Sequence, residues 1–103
     1  MIVDMTQKLM GLKGDALKDE NGEEIVLRTI ITNALGVPLE SDKGMSGDDK
    51  AKIWAVAVAV QKDKVDLTID ELSLIKKRVG EVFPQFVVGP AFLILNGTGR
   101  SVD

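Results

Sequence analysis

The chain contains no cysteine, no histidine and no tyrosine. Without cysteine there is no disulfide and no thiolate nucleophile, and without histidine the commonest general base and nitrogen ligand are missing. Catalysis would rest on carboxylates, lysine or Ser/Thr alone. Charge of one sign is also scarce. Thirteen Lys and Arg stand against sixteen Asp and Glu, a net −3, interspersed so that no basic stripe offers the footprint of a nucleic-acid binder. The longest acidic runs are pairs such as Asp19-Glu20, Glu23-Glu24 and Asp48-Asp49, too short for a nucleic-acid mimic. The longest apolar runs, 53–60 and 86–95, fall well short of the ~20 residues that span a bilayer, so no membrane association is expected. No basic start followed by an apolar segment and a small-residue cleavage site is present, which argues against secretion. Together with the lack of cysteine, this predicts a cytoplasmic protein.

What is present suits one hydrophobic core: 103 residues, 45% apolar and 28% charged, too few for two independent domains. The expected fold is mostly α (α+β), a small N-terminal β-hairpin followed by about four helices packed as one domain over residues 1–97. Residues 1–24 are irregular or hairpin, 25–97 helical, and 98–103 a flexible tail. Val3, Met5 and Leu9 hint at a strand, and Asp19-Glu20-Asn21-Gly22 is a turn signal, since Asn and Gly tolerate positive φ. No internal repeat is evident. Leu27, Ile30, Ile31, Ala34 and Leu35 follow helical spacing, with Glu23 and Glu24 placed for the positive end of that helix's dipole and Gly36 and Pro38 for its end.

The stretch 36–47 reads as a loop. Ser46 then resembles an N-cap, with Asp48 and Asp49 in the first turn. The Val/Ala alternation of 53–60 would fit a strand, but the cap tips it to a helix, apolar nearly all round and therefore central and buried. Thr68 and Glu71 make a capping box, flanked by Leu67 and Leu72 in staple positions. Leu72, Ile75, Val79 and Val82 line one face of that helix, which Pro84 ends. Pro90 is placed for the first turn of a last short helix through Leu95, closed by Asn96-Gly97.

No motif carries chemistry. Aligned on Gly22, a calcium loop would put Leu17 and Arg28 at ligand positions, which they cannot serve. Gly97-Thr98-Gly99 lacks the following glycine, lysine and helix of a nucleotide loop. The carboxylates sit where capping explains them, so the protein is not expected to be an enzyme, and no catalytic residue, cofactor or metal site is predicted. Trp54 is a candidate hot spot, although one Trp in an apolar helix favours the core. Lys76, Lys77 and Arg78 read as a solvated helix face, with an acidic partner as the sharper alternative. Phe83, Phe86, Val88, Phe92, Ile94 and Leu95 belong to a stretch with no charge between Val87 and Leu95. It is either a core helix or an interaction surface buried against another chain, including a second copy.

The string from Leu17 to Glu24 before an apolar helix, and that from Val65 to Gly80 with Val87-Val88-Gly89 beyond it, resemble a family of small proteins encoded by tailed bacteriophages and prophages. The similarity covers about residues 12 to 95, mostly caps, turns and core positions, while Pro90 and the Ala/Val-rich middle helix depart from it. The resemblance implies viral origin and residence in the cytoplasm of an infected bacterium. The function expected is that of a non-catalytic phage accessory protein acting by protein–protein interaction, through self-association or by binding a virion or host protein. The alternative is a nucleic-acid-associated factor of replication or packaging using Lys76, Lys77, Arg78 and Arg100.

Overall fold

A computed structural model describes residues 1–97; the expected tail at 98–103, with Arg100, lies outside the described residues. The fold is α+β, with N-terminal β structure followed by four helices. Its elements are β1 (Ile2–Asp4), α1 (Leu27–Gly36), a short 3-10 turn (Glu40–Asp42), α2 (Gly47–Ala59), β2 (Lys64–Asp66), α3 (Ile69–Val82) and α4 (Gln85–Leu95). The regular ladder is long-range: β1 pairs antiparallel with β2, Val3 opposite Val65, and closes the N-terminus against the link between α2 and α3.

The predicted turn at Asp19–Gly22 is present, with its arms bridged at Lys18 and Glu24, but it is one of two. The Asp19 N–H donates to Glu23 O at 2.9 Å and Gly22 N–H to Asp19 O at 3.0 Å. Eight residues earlier, Gly11 N–H donates to Asp15 O at 2.8 Å and Gly14 N–H to Gly11 O at 3.0 Å. Gly14 and Gly22 occupy the left-handed region, φ +84° and +82°, which a side chain resists. Leu9, Leu17 and Ile25, also eight apart, bond one another in a ring: Leu9 N–H to Ile25 O at 3.0 Å, Leu17 N–H to Leu9 O and Ile25 N–H to Leu17 O, both at 2.8 Å. Residues 9–25 are thus two copies of an eight-residue loop, a repeat hidden in the sequence because only the glycines, the ring positions and the acids Asp15 and Glu23 coincide.

Helix α1 buries Leu27, Ile30, Ile31, Ala34 and Leu35, the five predicted positions, and packs against α2 and α3. It starts at Leu27 with no acidic residue in its first turn, so Glu23 and Glu24 do not serve its dipole. They belong to the second loop, where Glu24 meets Lys8 at 2.7 Å. At the head of α3 the capping box is complete: Glu71 N–H donates to Thr68 Oγ1 at 3.1 Å and Thr68 N–H to Glu71 Oε1 at 2.9 Å. Thr68→Ala should therefore cost about 0.5–2 kcal/mol, read as a lower denaturation midpoint at unchanged slope.

Two expectations are corrected. The segment 53–60 is helical, but α2 is peripheral, with Val56 its one buried residue. Two residues on a helix are separated by 200°, so Val56 and Val58 cannot share a face. The core takes Val56 and Val60, while Val58 is 51% exposed. Helix α4 begins at Gln85, not at Pro90, with Pro84 as its N-cap. Pro90 sits inside it, where it supplies no N–H for the carbonyl of the exposed Phe86.

Candidate interaction site

The C-terminal end of α1 leaves carbonyl oxygens without helical donors and a partial negative charge. Arg78, from the middle of α3, meets both needs. Its Nε donates to Ala34 O at 2.9 Å, and Nη2 to Val37 O at 2.9 Å and Leu35 O at 3.4 Å. The same guanidinium forks onto Asp42 of the 3-10 turn, at 2.7 and 3.3 Å. Asp42 also accepts the Leu39 N–H at 3.0 Å. The hydrogen bond from Arg78, and then that from the Leu39 N–H, hold the Asp42 carboxyl below its ordinary pKa. Arg78 is only 4% exposed. It is a structural clamp that fixes the loop after α1, and the solvated basic face expected of Lys76, Lys77 and Arg78 does not exist as a unit.

The clamped loop forms one wall of a cleft of about 750 Å³, whose opposite wall is α2. Leu35, Pro38, Met45, Ile53, Trp54 and Ala57 make most of its apolar lining, with Lys43 and Lys50 at hand. Lys43 is held by Glu40 at 2.8 Å. Trp54 stands at the edge, 71% exposed, not in the core where the sequence favoured it. On the outer side of α2 it joins Ala51, Ala55 and Val58, all exposed, at the i, i+3, i+4, i+7 spacing of one helical stripe. Asp48 precedes this stripe and Lys62 follows it, both exposed.

The C-terminal stretch divides. Leu95 and Ala91 are wholly buried, while Phe83, Val88, Phe92 and Ile94 are half-buried against the core. Phe92 lies over the Lys76–Gly80 side of α3: a Cβ on Gly80 would stand 3.9 Å from its ring, and the Lys76 ammonium lies 5.3 Å from the ring centroid. Lys76 also donates to Asn96 Oδ1 at 2.5 Å, and Lys77 is exposed. Of the predicted residues in α4 only Phe86, 70% exposed, is mainly in solvent.

The structure thus brings Trp54 to a cleft and to an apolar stripe at once. Among the described residues no group of three or more His, Cys, Asp or Glu side chains is placed to hold a metal ion, and no helix is long and apolar enough to cross a membrane. Compared with known proteins, the chain matches no family model, no curated protein and no solved structure.

Proposed function

We propose that the protein is a non-catalytic accessory protein of a tailed bacteriophage, working in the host cytoplasm by docking onto another protein of the virion or the host through the exposed side of α2. The observation that carries this reading is the single Trp of the chain held 71% exposed beside an apolar cleft whose far wall is clamped by a buried arginine. Trp is the residue most enriched at binding hot spots, and leaving it in water without a partner forgoes much of the burial free energy it offers. The viral origin rests on the resemblance of residues 17–24 and 65–80. No observation favours the nucleic-acid alternative, because Arg78 is spent on α1 and Asp42 and Lys76 is engaged by Asn96 and Phe92.

The test is affinity capture from lysate of phage-infected bacteria with tagged wild-type protein and tagged Trp54→Ala, both checked for helicity by circular dichroism. A defined phage or host protein should be retained by the wild type and lost with Trp54→Ala, and neither variant should bind DNA appreciably at near-physiological salt. Retention of the same proteins by both variants, or micromolar DNA binding that weakens steeply with salt, would overturn the reading.

A further inference from the structure

The outer stripe of α2 has a charge asymmetry that the docking reading leaves unused. Asp48 and Asp49 lie in the first turn of the helix, and Lys62 lies in the turn just past its C-terminal cap. Along the helix Asp48, Ala51, Ala55 and Val58 follow one another at spacings of three, four and three, the seam of two helices packed at a shallow angle, and Lys62 stands exposed just beyond its C-terminal end. Neither Asp48 nor Lys62 has an ion-pair partner among the described residues. A row with an acid at one end, a base at the other and small apolar residues between is complementary to itself when reversed.

We propose that α2 pairs with α2 of a second copy, antiparallel about a two-fold axis at Ala55. This deepens the docking reading and rests on it, in that the same exposed Trp54 face is taken by a second copy when no phage or host partner holds it. Centred on Ala55, the pairing sets Asp48 of each copy opposite Lys62 of the other, so two ion pairs close the ends of the seam. Ala55 meets its own equivalent, which allows the helix axes the close approach that small residues permit. Trp54 of each copy covers the other's Ala55 and Val58. The reversed orientation also lays each helix's positive end beside the partner's negative end. A parallel pairing would oppose acid to acid and base to base. The contact is isologous, so it closes at two copies and does not propagate. One helix face is smaller than the ~800 Å² per partner of a standard interface, so the dimer is weak, with a dissociation constant on the order of micromolar.

The test is sedimentation equilibrium of the whole chain across low to several hundred micromolar, alongside the emission of Trp54. Wild type should pass from monomer to dimer with a blue shift of emission over the same concentrations. Trp54→Ala should remain monomeric by sedimentation. Asp48→Lys and Lys62→Asp, made singly, should each raise the dissociation constant about tenfold, because symmetry repeats every like-charge contact. The double variant Asp48→Lys/Lys62→Asp restores opposite charges and should recover most of the wild-type affinity. All three substituted residues are exposed, so the four variants are expected to fold, with circular dichroism as the check. A wild-type protein monomeric at several hundred micromolar, a dimer indifferent to Trp54→Ala, or a double variant as weak as the singles overturns the pairing. A monomeric wild type that still captures a phage or host protein through Trp54 would overturn the pairing alone and leave the docking function standing.

Discussion

Replacing Arg78 by alanine is expected to lower stability by about 3 kcal/mol, because three carbonyls at the end of α1 lose a charged donor and hydrogen bonds to charged groups are each worth roughly 1.5–3 kcal/mol. The three are not additive, and Asp42, partly exposed, regains water on one side once freed and adds less. For a chain of this size the loss corresponds to a fall in melting temperature of about 12–24 °C, measurable by calorimetry. Arg78→Lys should recover only part of it, since an ammonium lacks the planar fork that reaches carbonyls and carboxylate together. The acid side of the stability profile changes as well. The Asp42 carboxyl is held below its ordinary pKa in the folded state by Arg78 and the Leu39 N–H. It therefore contributes stability above its unfolded pKa and loses that contribution as pH falls through the folded value. In Arg78→Ala this part of the acid dependence should shrink. A variant with the wild-type melting temperature and acid profile would show that the loop after α1 does not depend on the clamp.

Leu95→Ala should cost about 2–5 kcal/mol, the range for emptying a fully buried leucine site, whereas Phe86→Ala should stay within about 0.5 kcal/mol of wild type. The two residues lie on the same uncharged helix, so composition alone gives no reason for them to differ. The difference comes from their facing: Ala91 and Leu95 meet the core, while Phe86 is 70% exposed. Chemical denaturation of both variants checks this. Equal losses would mean that α4 is enclosed on all sides, and two negligible ones that it does not pack on the core.

Local and periodic features were legible before the structure. The buried side of α1 follows a 3.6-residue period with polar residues between, and the Thr68–Glu71 box is complete within four residues. What escaped depends on partners far along the chain or on a misleading period. Arg78 and Asp42 are 36 residues apart, and nothing local distinguishes Arg78 from Lys76 and Lys77 beside it. In α2 the Val/Ala alternation has a period of two, which a helix scatters round its circumference, so high apolar content did not mean burial. Trp54 was visible as a candidate by residue type, but the cleft beside it needed the loop after α1 to be folded back by Arg78. The eight-residue repeat of the N-terminal segment is carried mainly by backbone hydrogen bonds, which side-chain patterns do not display. Its traces in the sequence are Gly14 and Gly22, each followed by an acid, and the apolar Leu9, Leu17 and Ile25.

In the proposed function α2 is a surface helix whose exposed tryptophan meets a partner, and the emission of Trp54, the sole Trp of the chain, reports its exposure without labelling. In a dilute sample shown to be monomeric by sedimentation, the emission should lie at the red, water-exposed end of the tryptophan range and be readily quenched by acrylamide. Blue-shifted emission that resists quenching in that same dilute monomer would place Trp54 inside the fold and contradict the assignment of α2 as the contact surface.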